Sequence, residues 1–478
     1  MSNQENSLYS TLVQEVDGYD DEAGIKKAID KYFAPVSEKF NGKKVVLKVS
    51  LVFPMKNPEN TIATNTNPVL ISFVAEVLES DKYKVKKILI ADGDTLGTAR
   101  FTFAMSDIKK KIKHLKKTQL LYLDEIAHLN RKEPFNGLNF DLKYPKLLLD
   151  DDVIFVSIPK LKINIFARAT LSVKNNMGLI PKPNRLKYHQ EHVLHKMISA
   201  LYLIKPPDFV IVDAIISGQG QGPVMVERVP TNLLIMSDDG LLADIASLYL
   251  MGITPKNYPE HITLLLENNA KKWKDLEDGN ELELINLESA SRRFLEEAKG
   301  KFKKFLLPST KFTEPGDNLE DEINAKVYVG KSSEGISCNA GCLGMIRTIL
   351  TFYSTKYAPI ENYSNDRFKK REPIHVIFGH HHSENGRAEE DIKQLDKNNK
   401  NVMLFGNCAV EKYGKRFKKA LKFKGCTPDY VWSLLVLSFF WKPLMGNPWF
   451  KLIPVSTYIW TFIAGNFMKL FKHIRTGR

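Results

Sequence analysis

A near-continuous apolar, β-branched run, Lys44-Val-Val-Leu-Lys-Val-Ser-Leu-Val-Phe53, predicts a buried strand. Pro68 to Ser80 follows as a helix opened by proline, and Lys87-Ile-Leu-Ile-Ala91 as a second strand running into Asp92-Gly-Asp-Thr-Leu-Gly97. Strand, helix and strand at this spacing make a βαβ unit with a parallel sheet. Further strands are expected at Val153 to Ile158, Phe209 to Val212 and Asn232 to Met236. From Glu267 to Lys304 the pattern is charged and helical, with Leu and Phe three and four residues apart, as in a link between modules. A second set of strands, Ala325 to Val329, Ile374 to Phe378 and Val402 to Phe405, then begins. The expected class is α/β, with two parallel-sheet modules and a C-terminal apolar helical hairpin. The expected division is a helical N-terminal segment (1–43), a first α/β domain (44–260), a charged helical linker (261–320), a second α/β module (321–428) and an apolar tail (429–478).

A chain of 478 residues with 43% hydrophobic content can bury more than one core, in keeping with two or three domains. Its net charge of +14 becomes informative once located. Residues 401–478 hold 13 Lys or Arg against Glu411 and Asp429, a net +11, which leaves +3 for the first 400 residues. Four of the five tryptophans, Trp432, Trp441, Trp449 and Trp460, also fall there. The uncharged runs Tyr430 to Trp441 (12 residues) and Leu452 to Met468 (17 residues) fall short of the roughly 20 that span a bilayer. Tryptophans at segment ends beside Lys442 and Lys451 suit a membrane interface, with residues 412–478 facing anionic headgroups. The plainer reading is a hairpin packed on the protein's own core. The basic stretch Lys412 to Lys424 abuts the apolar tail, which makes lipid a simpler partner than nucleic acid. Met1 to Ser10 is polar, without a secretion signal, so a reducing cytoplasm at the inner face of a membrane is the expected setting.

In that setting the thiols are ligands before they are disulfides. Cys338, Cys342, Cys408 and Cys426 are the chain's whole cysteine content, all in the last third. Four soft sulfurs select an iron–sulfur cluster or zinc. Zinc usually takes paired knuckles, and only Cys338 and Cys342 make one, so dispersed ligands favour a cluster, [4Fe–4S] first, with zinc as the alternative and buried or redox-paired thiols as the plain reading. The strand endings place these cysteines at the carboxyl edge of the second sheet, where ligands bind in open α/β folds. His375 and the run His380-His-His382 are neighbouring candidates.

The first module carries its own polar constellation. Ser157-Ile-Pro-Lys160-Leu-Lys162 leaves a strand, and Leu171-Ser-Val-Lys174-Asn175-Asn176-Met-Gly178 follows. His189, His192 and His195 come next, and then the strand ending at Asp213 runs into Gly218-Gln-Gly220-Gln-Gly222-Pro223. A glycine-rich loop after a strand offers N–H groups to an anion, and lysines supply compensating charge. Lys160, Lys162, Lys174, Asn175, Gly220 and Gly222 are therefore candidate substrate-binding residues. Asp213, Asp239 and His189 are candidates for moving a proton. Asp92 and Asp94 are candidates for a metal or for sugar hydroxyls, while Asp213 and Asp244 equally suit capping.

These segments also resemble a known family. Pro159-Lys-Leu-Lys162, Ser172-Val-Lys-Asn175 with Gly178-Leu-Ile-Pro181, Ile211-Val-Asp213 with Gly220-Gln-Gly-Pro223, and Ser237-Asp-Asp239 through Ala243-Asp244 to Met251-Gly252 resemble, in order and spacing, the signature blocks of domain of unknown function 362. The likeness covers roughly residues 44 to 255. It implies an iron–sulfur protein with a pocket built from Lys160, Lys162, Lys174, Asn175, Asp213 and Asp239, and no established reaction. The Cys-x2-Cys-x2-Cys run carried by some members is absent here.

Three functions remain in view: a redox or cluster-dependent enzyme acting on a small anion; a non-catalytic cluster or electron carrier serving a partner protein at the membrane; and a zinc-stabilised binding protein.

Overall fold

The computed structural model describes residues 11–52, 61–95, 98–189, 193–269, 281–285, 287–303, 324–331, 339–351, 372–380 and 387–428, with Ser433, Trp460 and Ile463. Among the described residues, the first 260 form eleven strands: β1 (Thr11–Glu15), β2 (Lys44–Val49), β3 (Lys87–Asp92), β4 (Thr118–Tyr122), β5 (His128–Phe135), β6 (Leu138–Pro145), β7 (Val153–Ile158), β8 (Lys160–Asn164), β9 (Arg168–Thr170), β10 (Phe209–Gln221) and β11 (Met225–Ser237). Nine make one sheet of order β1-β11-β10-β7-β2-β3-β4, with β8 on β10 and β9 on β8. Strands β10, β7, β2, β3 and β4 run parallel, and β11 and β1 close the edge antiparallel.

Period-two alternation sorts the central strands between two cores. Val45, Leu47 and Val49 of β2 join Ile154, Val156 and Ile158 of β7 on one face, while Val46 joins Val153 and Phe155 on the other. The same alternation turns Lys48 and its register partner Ser157 to the Val46 face, so a charged residue enters the core beside a hydroxyl. Asn67 caps the helix Pro68–Glu79 by accepting from the Val69 N–H, and Pro68 occupies the first turn, where its missing N–H leaves no unpaired bond.

Several expected elements are corrected. The N-terminal segment is not helical throughout: the helix Glu22–Phe33 is preceded by β1, an edge strand whose apolar Leu12 and Val13 are buried. The charged segment after Glu267 does not run free between modules in its described part. Its helix Ser289–Ala298 lies on β1, where Ser291 Oγ accepts from the Val13 N–H at 2.9 Å. The glycine-rich loop is also corrected. Strand β10 continues to Gln221, with Gly218 and Gly220 opposite Arg228 and Val226 of β11. Gly222 is small because a side chain there would run into the Ile163 carbonyl. The hairpin β5–β6 turns at Asn136 and Gly137, both at positive φ, the pairing a tight hairpin turn requires.

The second module is a parallel four-stranded sheet, β12 (Ala325–Val329), β13 (Ile374–Phe378), β14 (Val402–Phe405) and β15 (Leu421–Phe423), in that order. The helix Gly344–Thr351 stands between β12 and β13 in sequence, and the helix Asn407–Tyr413 follows β14. The class is α/β with a parallel-dominated central sheet. The apolar tail lies outside the described residues apart from Ser433, Trp460 and Ile463, the last two exposed. No helix among the described residues is long and apolar enough to cross a membrane.

Candidate functional site

A cavity of about 180 Å3 opens at the carboxyl ends of β2 and β3. Its volume is below the roughly 300–1,000 Å3 of drug-sized pockets, so it suits a small ligand. Lys48, Lys174, Lys182 and Arg185 supply cationic groups to its wall, Asp92 is the acidic one, and Asn175 and His189 add further polar groups. Met345 and Thr348 complete the wall from the helix Gly344–Thr351 of the second module.

Each cation is fixed differently. Lys48 Nζ pairs with Asp92 Oδ1 at 2.8 Å and donates to the Val49 carbonyl at 2.6 Å and Asn175 Oδ1 at 3.2 Å. Burial pushes the Lys48 amine down, and Asp92 partly restores it. Arg185 donates to the carbonyl and carboxylate of Asp94, and the Lys182 N–H reaches the same carboxylate at 3.1 Å. Lys174 sits on the turn Ser172–Asn175, whose first N–H groups, Ser172 and Val173, donate to Asp244 at 2.7 and 2.9 Å. Its amine has no hydrogen-bond acceptor and no ion-pair partner among the described residues. Burial first, and then the charges of Arg185 and Lys48, lower it to about 8. Asn175 bridges the Lys48 carbonyl at 3.1 Å and Ser157 Oγ at 3.0 Å, which fixes the turn on the sheet.

Of the residues expected at the site, Asp92, Lys174, Asn175 and His189 line the cavity, and the others stand outside it. Lys160 and Asp213 form a fully buried ion pair at 3.1 Å, with Asp213 also accepting from Tyr19 Oη at 2.7 Å and the Asn67 N–H at 2.9 Å. Lys162 donates to the Thr64 carbonyl, and burial with neighbouring Lys174 and Lys160 pushes its amine far down. Asp239 caps the helix Gly240–Leu250 through the Leu241 and Leu242 N–H groups. Asp244 is likewise a cap, and burial raises its carboxyl well above the usual range. Asp92 and Asp94, expected to serve a metal or hydroxyls, are occupied by Lys48, Arg185 and backbone N–H groups. Gly220 and Gly222 do not line the cavity, although the next residues, Pro223 and Val224, do. His192 lies outside the described residues. Lys48, Lys182 and Arg185 were not expected there. A lysine inside the apolar run of β2 was the one sequence signal for Lys48.

The described cysteines lie at the carboxyl edge of the second sheet. Cys342 is buried on the turn Asn339–Leu343, Cys408 opens the helix Asn407–Tyr413, and Cys426 follows β15. The two loops are laced together: Gly406 donates to the Phe423 carbonyl at 2.9 Å, Asn407 to the Gly425 carbonyl at 3.1 Å, and Gly425 to Asn407 Oδ1 at 2.8 Å. A Cβ on Gly406 would lie 2.6 Å from Cys342 Sγ, so the glycine makes room for that sulfur. Cys426 is exposed overall, but partial burial of its thiol and the nearby Cys408 raise its pKa. Cys338 lies outside the described residues, and among those described no three His, Cys, Asp or Glu groups are close enough to hold a metal ion. Thiols are the donor type of a thiolate-bound centre, and Cys342, Cys408 and Cys426 would supply three of its four sulfurs. His375 stands near the start of β13, at the other end of the strand from the cysteine edge, with its Nδ1 bonded to Tyr328 Oη at 3.0 Å.

Fold and site together define an α/β protein with a cation-lined cavity to which a helix of the second, cysteine-bearing module contributes. Residues 45–249 match the model of the family described as Domain of unknown function (DUF362), and this segment of the chain belongs to that family. The chain is also similar to the thylakoid-associated protein sll1697 of Synechocystis sp., with 23% identity over 224 residues, 46% of this chain and 66% of that protein. It therefore spans slightly less than two thirds of that relative. A crystal structure of a protein from Thermotoga maritima aligns with 79% of this chain and 93% of its own at 11% identity and a TM-score of 0.29.

Proposed function

We propose that the chain binds a small organic anion in this cavity and performs redox or cluster-dependent chemistry on it, with an iron–sulfur cluster on Cys338, Cys342, Cys408 and Cys426. One observation carries the reading. The helix that follows Cys342 contributes Met345 and Thr348 to the same cavity that Lys174, Lys182 and Arg185 line from the family domain. Positive groups in a partly closed cavity hold an anion far more strongly than in bulk water. Asn175, locked by Lys48 and Ser157, offers no free rotation and orients what Lys174 binds. His189 is the cavity group suited to move a proton near neutral pH. A bound cluster would supply one-electron chemistry.

Residues 412–478, cationic and rich in tryptophan, are read as meeting an anionic membrane surface, in keeping with the thylakoid association named for the Synechocystis relative.

The test is the visible absorption spectrum of anaerobically purified chain, with iron, sulfide and zinc analysis of the same sample. A broad band near 400 nm, roughly where thiolate-to-iron charge transfer absorbs, that bleaches with dithionite supports the cluster. A colourless sample with zinc moves the four thiols to a structural role. The cavity is tested separately by thermal-shift titration with small carboxylates and phosphates. Saturable stabilisation that Lys174→Met weakens supports it, and no stabilisation by any of them removes it.

A further inference from the structure

We infer that Lys174 is a carbonyl-reactive amine that forms an imine with a small 2-oxo acid bound in the cavity. The inference rests on the anion-binding reading of this cavity and narrows its ligand class.

Three placements carry it. First, Lys174 lines the cavity without an acceptor for its Nζ among the described residues, although buried lysines elsewhere in this fold are satisfied. Lys48 has Asp92, Lys160 has Asp213, and Lys162 has the Thr64 carbonyl. Second, its turn is held rigidly: Asp244 takes the two leading N–H groups, and Asn175 ties the far end to β2 and β7. A flexible amine is thus rooted in a fixed backbone, the arrangement a nucleophile needs. Third, the charges that act on it are cationic. Lys48 and Arg185 act on it from β2 and from the helix Lys182–Lys187, while Lys162 on β8 and the neutral rings of His195 and His261, on the helices Leu194–Ile204 and Glu260–Asn268, also lie within electrostatic reach. Asp92, the acidic group of the wall, is taken by Lys48.

Cations beside a lysine keep part of it neutral, and a neutral amine is the nucleophile. The lowered value of about 8 agrees with that placement. The same cations attract a carboxylate. A ligand that uses both features carries an acid group next to a ketone or aldehyde carbon. In the reaction the Nζ lone pair adds to that carbon, both N–H hydrogens leave with the carbonyl oxygen as water, and a C=N bond remains. No oxidant or reductant is consumed.

The experiment incubates the full chain with glyoxylate, pyruvate or 2-oxoglutarate and cyanoborohydride, which reduces an imine to a stable secondary amine. Peptide mass mapping locates the adduct. Binding is followed in parallel by thermal shift with each acid and with lactate, which has no carbonyl. The expected result is an adduct on the Lys174 peptide that lactate competes away, formed faster as pH rises toward and through about 8. Lys174→Arg, which keeps the charge but has no amine to form an imine, is expected to lose the adduct. Mapping on the natural chain stands even if that variant fails to fold. Stabilisation by the 2-oxo acids with no adduct, or with adducts spread over surface lysines, overturns the imine while the anion-binding reading survives. No stabilisation by oxo acids or lactate, and no adduct, overturns both.

Discussion

The Thr427 hydroxyl donates to the His189 carbonyl at 2.7 Å, joining residues 238 apart in sequence. Thr427 directly follows Cys426, and His189 lines the cavity, so this bond ties the cysteine loop to the ligand wall. A net hydrogen bond of this kind contributes roughly 0.5–1.5 kcal/mol. Thr427→Val is therefore expected to weaken anion binding about two- to tenfold with little change in fold, measured by calorimetric titration. Affinity equal to that of the natural chain would mean that this contact does not couple the two parts.

Lys48 and Asp92 line the same cavity. Their pair is almost wholly buried, with side-chain exposures of 1% and 5%. Removing one partner from such a pair leaves an uncompensated charge and typically costs about 3–5 kcal/mol. Asp92→Asn should lower unfolding stability by that order, and Lys48→Met combined with Asp92→Asn should recover part of the loss. Urea denaturation of the two variants beside the natural chain decides it. A single-variant loss below about 1 kcal/mol would mean that water reaches the pair and screens it.

The sheet was legible in the sequence where apolar runs were long. Strands β2, β3, β7 and β12 to β14 lie where β-branched runs predict them, because burial on both faces needs no alternation to be recognised. Strand β15 was hidden by Lys419, Lys422 and Lys424, which read as a charged surface run. The hairpin β5–β6 carried its Asn136-Gly137 signal but is mostly polar, so its strands had no apolar pattern. The site was less legible than the fold. Lys174 and Asn175 stand in a motif, whereas Lys182 and Arg185 belong to a polar helix positioned by partners distant in sequence, Asp94 for Lys182 and Arg185 and the Asp141 carbonyl for Asn184. Lys160 and Asp213 resemble pocket residues in sequence because buried ion pairs and binding sites draw on the same residue types. Register alone, with Lys160 opposite Asp213, assigns them to the core.

The rings of His195 and His261 stack with their Nδ1 atoms 2.9 Å apart in the interior. One ring must donate and the other accept, so the pair is neutral. Burial first, with Arg168 and Lys174 adding positive charge, lowers His195 to about 3, and burial with His195 and Lys174 pushes His261 down as well. Unfolded histidines take up protons near pH 6.5, and the folded pair does not until far lower. The unfolded chain thus binds more protons in this window, and stability falls as pH drops from about 6.5 toward 3, by up to about 1.4 kcal/mol per pH unit for each ring. His195→Phe should flatten the pH 6.5 to 5 part of the profile, above most carboxylate titrations. An unchanged slope in urea melts would place the acid sensitivity elsewhere.

Gly406 decides whether the cysteine edge is built for sulfur ligands or only for a turn. Its φ of +89° and ψ of 157° lie in a region essentially reserved for glycine, where another residue costs of order 1–3 kcal/mol. That cost alone would follow from the turn between β14 and the helix Asn407–Tyr413. The added Cβ would also meet Cys342 Sγ at 2.6 Å, and backbone bonds to Phe423 and Gly425 prevent the loop from retreating. Gly406→Ala is therefore expected both to destabilise the chain and to displace the buried thiol. If Cys342 is a metal ligand, iron or zinc per chain should fall well below the natural value in the folded variant, while thermal-shift titration with carboxylates still reports the Lys174 cavity. Full metal content with only a loss of stability would show that the glycine serves the turn, and the case for Cys342 as a ligand would lose its structural support.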